Sequence, residues 1–488
     1  MAITRRQFIT RSGLATAGAL IGPSLFGSPW LRQAMAATIG DRYLIVLFLD
    51  GGNDGLNTII PVSGGLRAAY EDARKVNGGG IRVLNPLVPA TPFSDPRTGE
   101  QLGFHPGLAA LSDLYDQGMV AVVQGCGYPE YNLSHDVSRS IWRRGAPLSA
   151  PSAGWIGRYL AAAGYLGSDI PAVNIGGELA GEFIQSATSV LVFNRLQSFG
   201  FPFDFAFDDD DDIDDSPFKN DVFNALYGAA TANGHPAMHY LGGTGNATLM
   251  ATTSYPVLHE DYRTDRSSFY DLYNSDQAGA LNTGTARGLR EIAKVIYGVA
   301  RGVPNVNARH FELANGGYDT HSDQGGDTGA HFDLHDEIAG ALKLFYDDLA
   351  DMSSGAPSGS GLENLASKVL TVVYSEFGRR IPQNDNGTDH GSQGPMLVIG
   401  GGINGGVYGD HPNIDESALD DDGNTKYKQD TSNGAVSTDF RDVYGTIIKH
   451  WLGLTDPATL AALLPHDGTL GFSGANYWTA PNFDMGFL

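Results

Sequence analysis

Residues 43–49 read Tyr-Leu-Ile-Val-Leu-Phe-Leu and are followed directly by Asp50-Gly51-Gly52. An unbroken apolar run of this length predicts a strand that is buried on both faces, as in the parallel sheets of α/β proteins. Runs of the same kind recur along the chain, at residues 119–123, 172–175, 369–374 and 396–399. The sequence therefore predicts several strands of one buried sheet.

Helical patterns alternate with these runs. Residues 331–352 place apolar side chains on one stripe at steps of three and four residues, namely Leu334, Ile338, Leu342, Phe345 and Leu349. Residues 440–454 form a second predicted helix, with Asp439 as its N-cap. Strands that alternate with helices predict a doubly wound α/β fold, in which helices flank a largely parallel central sheet.

Two histidines on the first of these helices have two interpretations. His331 and His335 lie one helical turn apart and could hold a metal ion. Because Asp333 and Asp336 lie beside them in the sequence, we expect a solvated face instead.

Residues 37–488 are predicted to form a single domain. Residues 178–290 fit the alternation of strands and helices less well, and we interpret them as an irregular insertion or cap on the sheet. The insertion contains an acidic run at residues 208–215. A solvated loop is the expectation for this run, with calcium binding as the alternative.

The amino terminus carries an export pattern. Thr4-Arg5-Arg6-Gln7-Phe8-Ile9 matches a twin-arginine signal, and Ala34-Met35-Ala36 supplies a small-x-small cleavage site. We expect residues 1–36 to be removed, and the protein to pass folded through the twin-arginine translocase into the periplasm or the medium. The alternative is an uncleaved anchor, but the apolar stretch at residues 14–26 is too short and too weakly hydrophobic for a stable membrane span.

Composition narrows the classes of partner. The chain has 31 Lys and Arg against 55 Asp and Glu, a net charge of −24, which becomes −28 when the signal segment leaves with its four arginines and no acid. Such a charge argues against nucleic acid or anionic lipid as a partner, although adaptation to salt is another origin for it. Cys126 is the only cysteine, so no intrachain disulfide can form.

Polar residues cluster just after the predicted strands, where α/β folds gather functional groups. Five segments share this position, and their candidate residues are Asp50, Asp54, Ser134, His135, Asp319, His321, Glu376, Arg380, Asp389 and His390. Carboxylates and imidazoles that meet at one sheet edge suit a divalent metal such as zinc, manganese or calcium. Each segment alone could be structural, with carboxylates in turns, Ser134 as an N-cap or Glu376 in an ion pair. Their joint position after successive strands favours a site.

The same segments resemble a known family. Residues 48–57 (Phe-Leu-Asp-Gly-Gly-Asn-Asp-Gly-Leu-Asn), Ser134-His135, Asp319-Thr320-His321, residues 375–379 (Ser-Glu-Phe-Gly-Arg) and Asp389-His390-Gly391 follow in this order. They resemble a large family of bacterial twin-arginine-exported proteins of unknown function, grouped with the alkaline phosphatase and sulfatase superfamily. The resemblance covers about residues 43–453, and the insertion is its least typical part. It implies an α/β sandwich with a metal-assisted phosphoryl- or sulfuryl-transfer site.

The resemblance also implies roles for individual residues. The metal ligands would be Asp50 or Asp54, Asp319, His321, Glu376 and His390, with Asp389 assisting the last histidine. Ser134 takes the position of the nucleophile, and His135 and Arg380 would position the anion.

Two departures from the superfamily pattern qualify these roles. Glu376 replaces an Asp that is usually followed by His or Asn, and here Phe377 follows, which implies one metal instead of two, a different metal or a degenerate site. No Cys-x-Pro-x-Arg segment occurs, which argues against a formylglycine sulfatase. We therefore expect an exported metal-dependent hydrolase of phosphate or sulfate esters. The alternative is a non-catalytic cell-surface or extracellular assembly protein on the same scaffold.

Overall fold

The computed structural model describes residues 41–77, 79–128, 131–146, 153–165, 169–184, 189–199, 216–232, 236–273, 279–412, 414, 433–434, 436–465 and 481–488. The predicted signal segment and the acidic run at residues 208–215 lie outside these residues.

The first half of the chain contains both strands and helices. In chain order they are β1 (Tyr43–Asp50), β2 (Ile59–Pro61), α1 (Gly64–Ala73), β3 (Leu102–Phe104), α2 (Ala109–Asp116), β4 (Val120–Gly127), α3 (His135–Arg144), α4 (Trp155–Ala162), β5 (Ala172–Ile175) and β6 (Val190–Phe193).

The second half begins with helices and returns to the sheet. Its elements are α5 (Ser216–Thr231), α6 (Pro236–Asp265), α7 (Ser267–Leu272), α8 (Gly284–Ala300), β7 (His310–Gly316), α9 (Ala330–Ser353), α10 (Leu365–Lys368), β8 (Val369–Ser375), β9 (Gly378–Arg379), β10 (His390–Gly391), β11 (Gly394–Ile399), β12 (Gly406–Tyr408), β13 (Thr438–Asp439), α11 (Phe440–Thr446) and α12 (Pro457–Leu463).

In the described part of the chain, nine strands form one central sheet in the order β12-β4-β11-β8-β1-β7-β5-β6, with β13 beside β4. All neighbouring pairs are parallel except those of β11, which is antiparallel to both β4 and β8. The carboxyl ends of β1, β4, β7 and β8 therefore lie at the same edge as the amino end of β11. This arrangement confirms the predicted α/β fold with a largely parallel sheet.

Helices cover both faces of the sheet. Alternate residues of β1 enter two different cores, with Ile45 and Leu47 on one face and Leu44 and Val46 on the other. Side chains from α2, α6, α8 and α9 fill the first core, and side chains from α3, α4, α11 and α12 fill the second. Burial on both faces explains why β1 is an unbroken apolar run.

Both predicted helices are present. The apolar stripe of α9 is buried at Ile338, Leu342, Phe345 and Leu349. Asp439 caps α11 by accepting a hydrogen bond from the backbone N–H of Arg441, and the helix continues as a π turn over Ile447–Trp451.

The expectation of a solvated face at His331 and His335 is wrong, because both side chains are fully buried. The reason is helical position: His331, His335 and Ile338 lie on the stripe that faces the core, whereas Asp333 points to solvent. The Nε2 atom of His331 lies 2.9 Å from Asn53 Oδ1, and that of His335 lies 3.1 Å from Thr58 Oγ1. The two histidines therefore support the loop that follows β1.

Residues 178–290 are more regular than their turn-rich sequence indicates. Strand β6 extends the sheet beside β5, and α5, α6 and α7 account for most of the described residues that follow. Asp348 of α9 accepts hydrogen bonds from Arg266 Nη2 at 2.6 Å and from the hydroxyl groups of Tyr262 and Tyr273. This buried group ties the helices of the insertion to the body of the domain.

No helix within the described residues combines the length and the apolar character that a membrane span requires.

Candidate metal centre

Four loops and the start of α3 meet at the sheet edge where β1, β4, β7 and β8 end. Gly51, directly after β1, has a φ of +126°, and a Cβ atom there would lie 2.3 Å from the backbone nitrogen of Asp319. Only glycine therefore lets the loop after β1 pass so close to the loop after β7. The N–H of Gly51 donates to both carboxylate oxygens of Glu376, at 3.1 and 3.2 Å, which ties in the loop after β8.

Asp319 lies at the centre of three imidazoles. Its Oδ1 atom is 3.2 Å from the Nε2 atoms of both His321 and His390, and its Oδ2 atom is 3.4 Å from His135 Nε2. The coordinating atoms of His135, Asp319 and His390 all lie within 4.8 Å of one another. Ligand atoms on one tetrahedral ion are about 3.3 Å apart when the metal–nitrogen distance is near 2.0 Å. The spacing of His135, Asp319 and His390 therefore fits a single metal ion, and His321 lies beside this group.

The outer nitrogen of each imidazole faces an oxygen acceptor. The Nδ1 atom of His390 lies 2.7 Å from the carbonyl oxygen of Leu133, that of His135 lies 2.8 Å from Glu376 Oε1, and that of His321 lies 3.3 Å from Asp389 Oδ1. Each Nδ1 then carries the proton and donates it, which leaves the lone pair on Nε2. This pairing of a ligating histidine with a carboxylate or carbonyl is the usual outer support of metal sites.

The inner atoms repel one another unless a cation lies among them. Three Nε2 lone pairs face the carboxylate of Asp319, and the Nε2 atoms of His321 and His390 are only 2.9 Å apart. A metal ion or a proton removes this repulsion. The arrangement is that of a histidine-rich cation site with its outer partners already in place.

The protonation states suit metal binding. Burial acts to raise the pKa of Asp319, but the hydrogen bond and the charge of Arg379, together with the contact with His390, outweigh it and lower the pKa below its ordinary value. Burial lowers the pKa of His390. At neutral pH the carboxylate is therefore charged and the imidazole of His390 is neutral, as coordination requires.

The arginine that reaches Asp319 is Arg379. Its Nη2 atom donates to Asp319 Oδ1 at 2.6 Å, and its N–H groups also donate to the carbonyl oxygens of Gly51, Gly52, Tyr318 and Thr388. Arg379 is buried and holds three loops together. Arg380, the residue predicted from the sequence, turns its side chain to Asn433, with Nε 3.0 Å from Asn433 Oδ1.

Glu376 and Asp389 contact the histidines on their outer side. Glu376 is fully buried and also accepts a hydrogen bond from Ser375 Oγ at 3.1 Å. Asp389 is half exposed and contacts His321 through Nδ1. Both carboxylates therefore occupy positions that orient the imidazoles.

Asp50 and Asp54, the two candidates after β1, have different surroundings. Asp50 pairs with Arg139, which also lies 3.7 Å from Glu376 Oε1. Asp54 is buried and bound by Arg74 at 2.9 Å and by Gln324 Nε2 at 2.6 Å. The structure thus brings Asp50 to the rim of the site, while Asp54 holds α1 and the loop after β7.

Ser134 is the N-cap residue of α3, directly before His135. Its side chain is exposed and makes no capping hydrogen bond, while its backbone N–H donates to Asn132 Oδ1 at 2.8 Å. The hydroxyl group is therefore open to solvent beside the metal centre.

Sequence reasoning missed two features of α3. His135 was assigned to anion positioning, but its Nε2 atom belongs to the group around Asp319. Arg139 was not singled out, although it lies one helical turn after His135 and contacts Asp50. That four-residue spacing on one helix is the signal in the sequence that identifies the pair.

Residues 298–464 match the model of a family described as "Protein of unknown function (DUF1501)". This part of the chain contains Asp319, His321, Glu376, Asp389 and His390, whereas His135 precedes it. No curated protein matches the chain. Over about a third of its length, the chain is thus similar to a family whose function is undefined.

Proposed function

We propose that His135, Asp319 and His390 bind one divalent metal ion, with His321 beside them. The observation that carries this proposal is the convergence of the Nε2 atoms of His135 and His390 on the carboxylate of Asp319, each imidazole being held through Nδ1 by an oxygen acceptor. Imidazole-rich sites suit zinc and other transition metals, whereas calcium prefers oxygen ligands. Zinc, manganese or iron is thus favoured over calcium.

The function that this site supports best is hydrolysis of a phosphate or sulfate ester outside the cytoplasm. Side-chain exposures of 47% for Asp319 and 45% for His321 leave the site open to a substrate. A bound metal would polarise the ester and lower the pKa of a hydroxyl or water nucleophile. Ser134, exposed beside His135, is the candidate nucleophile, and Arg139 is a partly exposed cation at the rim that suits an anionic oxygen. The twin-arginine pattern supports export.

One observation favours a non-catalytic role instead. His321 lies 3.2 Å from Asp319 Oδ1, and if it joined His135, Asp319 and His390 on the ion, all four positions of a tetrahedral ion would be filled, as is typical of structural metal sites. In that case the metal would stabilise the edge of the sheet in an exported assembly or binding protein.

Metal content and ester hydrolysis, measured on the same preparations, test both functions. We expect one metal ion per chain in the wild type and none in Asp319→Asn. Glu376→Gln should still bind metal, with an affinity lower by roughly 10- to 100-fold, because the support of His135 weakens while the ligands themselves remain. Asp333→Asn, an exposed change on α9, is the matched control and should bind like the wild type.

Activity then separates the two functions. A hydrolase should cleave aryl phosphate or aryl sulfate esters only when loaded with metal, and Ser134→Ala should lower the rate at least roughly 100-fold if the serine is the nucleophile. Stoichiometric metal without hydrolysis of either ester would support the structural role. Absence of metal, or binding that Asp319→Asn leaves unchanged, would contradict the metal centre itself.

A further inference from the structure

Arg290 on α8 is a buried cation with too few partners among the described residues. Helix α6 of the insertion packs against α8, Tyr270 of α7 lies over Arg290, and Arg290 retains only 5% of its exposure. Within the described part of the chain, its Nε and Nη1 atoms have no hydrogen-bond partner, and its Nη2 atom is 3.5 Å from Glu291 Oε1. Buried guanidinium nitrogens normally have acceptors, and the residues that the structure describes do not supply one here.

A second buried cation lies beside it. Lys294 Nζ donates to Glu291 Oε1 at 2.6 Å and lies 3.0 Å from His259 Nδ1. The other carboxylate oxygen of Glu291 accepts the backbone N–H of Leu196 at 3.0 Å. The carboxylate of Glu291 therefore contacts both Arg290 and Lys294.

The other described groups around this pair do not supply the missing negative charge. Burial and the charge of Lys294 lower the pKa of His259 on α6, so its imidazole adds no negative charge and is neutral at pH 7. Tyr270 on α7 presents its ring to Arg290 and Lys294, with centroid distances of 4.5 and 5.5 Å. Glu260 is exposed and pairs with Arg263 at 2.6 Å. Two buried cations thus face one carboxylate and an aromatic ring, which offsets only part of the excess charge.

We propose that Arg290 and Lys294 form a binding site for a small inorganic oxyanion, at the junction between the insertion and the body of the domain. Arginine and lysine are donors only, so the absent partner must be an acceptor, and the surplus charge requires it to be negative. Phosphate and sulfate present several acceptor oxygens to the N–H groups of Arg290 and to the third donor of Lys294. This site shares no residue with the metal centre and is independent of the proposed hydrolysis.

The Tm of thermal unfolding tests the site. It is measured first in buffer free of inorganic anions and then with increasing sodium phosphate, sodium sulfate or sodium chloride at constant ionic strength. A ligand that binds only the folded protein raises Tm in a saturable way. We expect such a rise with phosphate or sulfate in the wild type and in Arg287→Met, a partly exposed arginine on the same helix. Arg290→Met should lose the rise, and without added anion its Tm should equal or exceed that of the wild type, because the unpaired charge is gone.

Isothermal titration of Asp319→Asn with phosphate keeps the test valid if Arg290→Met does not fold, because this variant should lack the metal and with it the other proposed anion site. Saturable binding of about one phosphate per chain supports the site. An equal rise of Tm with chloride at the same concentration would contradict an oxyanion site and identify a halide as the ligand class. No saturable binding of any of the three anions, or an equal rise of Tm in Arg290→Met, would overturn the proposal.

Discussion

Gly51 is the residue on which the close approach of two loops at the metal centre depends. Its positive φ, and the 2.3 Å that would separate a Cβ atom from the nitrogen of Asp319, leave no room for a side chain. We predict that Gly51→Ala lowers the unfolding free energy by about 3 kcal/mol or displaces Asp319. The first result follows if the new Cβ atom stays in its clash with the backbone of Asp319, and the second follows if the loop after β7 moves away. Denaturant unfolding measures the first effect and metal affinity the second.

Gly99→Ala is the matched control for this change. Gly99 also has a positive φ, +71°, but a Cβ atom there meets nothing within 4 Å. Only the backbone penalty of about 1 kcal/mol applies, and metal binding should not change. Equal effects of the two substitutions would mean that backbone conformation alone, and not the contact with Asp319, makes Gly51 necessary.

Single-residue roles were the hardest to predict from the sequence. The segment after β8 contains Arg379 and Arg380 side by side, and neighbouring residues of an extended segment point to opposite sides. Which of the two reaches Asp319 depends on the register of β9 against β10, where Arg379 pairs with His390. Composition and spacing carry no information about that register.

At the scale of elements, α9 connects the body of the domain to the insertion through Asp348. We predict that Asp348→Ala lowers the unfolding free energy by roughly 3–5 kcal/mol, because it leaves Arg266 without its buried partner. Asp347→Ala, the adjacent exposed residue paired with Lys343, should cost about 0.5 kcal/mol or less. Chemical denaturation of both variants checks the contrast, and similar losses would show that Asp348 does not join the two parts.

Helix α9 also shows what periodicity can and cannot predict. The spacing of Ile338, Leu342, Phe345 and Leu349 was sufficient to predict the helix and its buried face. The same spacing places His331 and His335 on that face, but their polarity and the acids nearby in sequence favoured solvent. Asn53 and Thr58, which make their burial possible, come from a loop far earlier in the chain, after β1.

At the scale of the whole molecule, buried histidines make stability depend on pH. Burial lowers the pKa of His105 and of His310 from 6.5 to about 4. As the pH falls, the unfolded chain therefore binds protons before the folded chain does. The contribution of these neutral histidines to the unfolding free energy is complete above about pH 6.5 and is lost as the pH falls toward 4. Each of these histidines contributes on the order of 3 kcal/mol across that window.

Denaturant unfolding between about pH 7.5 and 4.5 measures this loss. His310→Asn should weaken the dependence, because asparagine can still donate to the carbonyl oxygen of Pro171 but does not titrate. An unchanged slope in this variant would assign the acid sensitivity to other groups.

The global architecture was more predictable than the site. Five apolar runs corresponded to strands of the central sheet, because strands buried on both faces must be apolar throughout. Their order and the reversed direction of β11 depend on contacts between distant segments. The polar segments after β1, β4, β7 and β8 lie at one edge, since chain direction alone brings the ends of parallel strands together. The fifth segment reaches the same edge because it precedes the antiparallel β11.

The position of β11 has a consequence for biosynthesis. Within the described sheet, residues 394–399 alone link β4 to β8, and the other neighbours of β4, β12 and β13, come later still. Strand β4 therefore has no strand partner until this late segment emerges from the ribosome. Until then, β4 and β8 each present an unpaired edge to which another chain could add. A nascent chain that stalls before residue 394 is therefore open to aggregation, and a chaperone that shields strand edges would act during that interval.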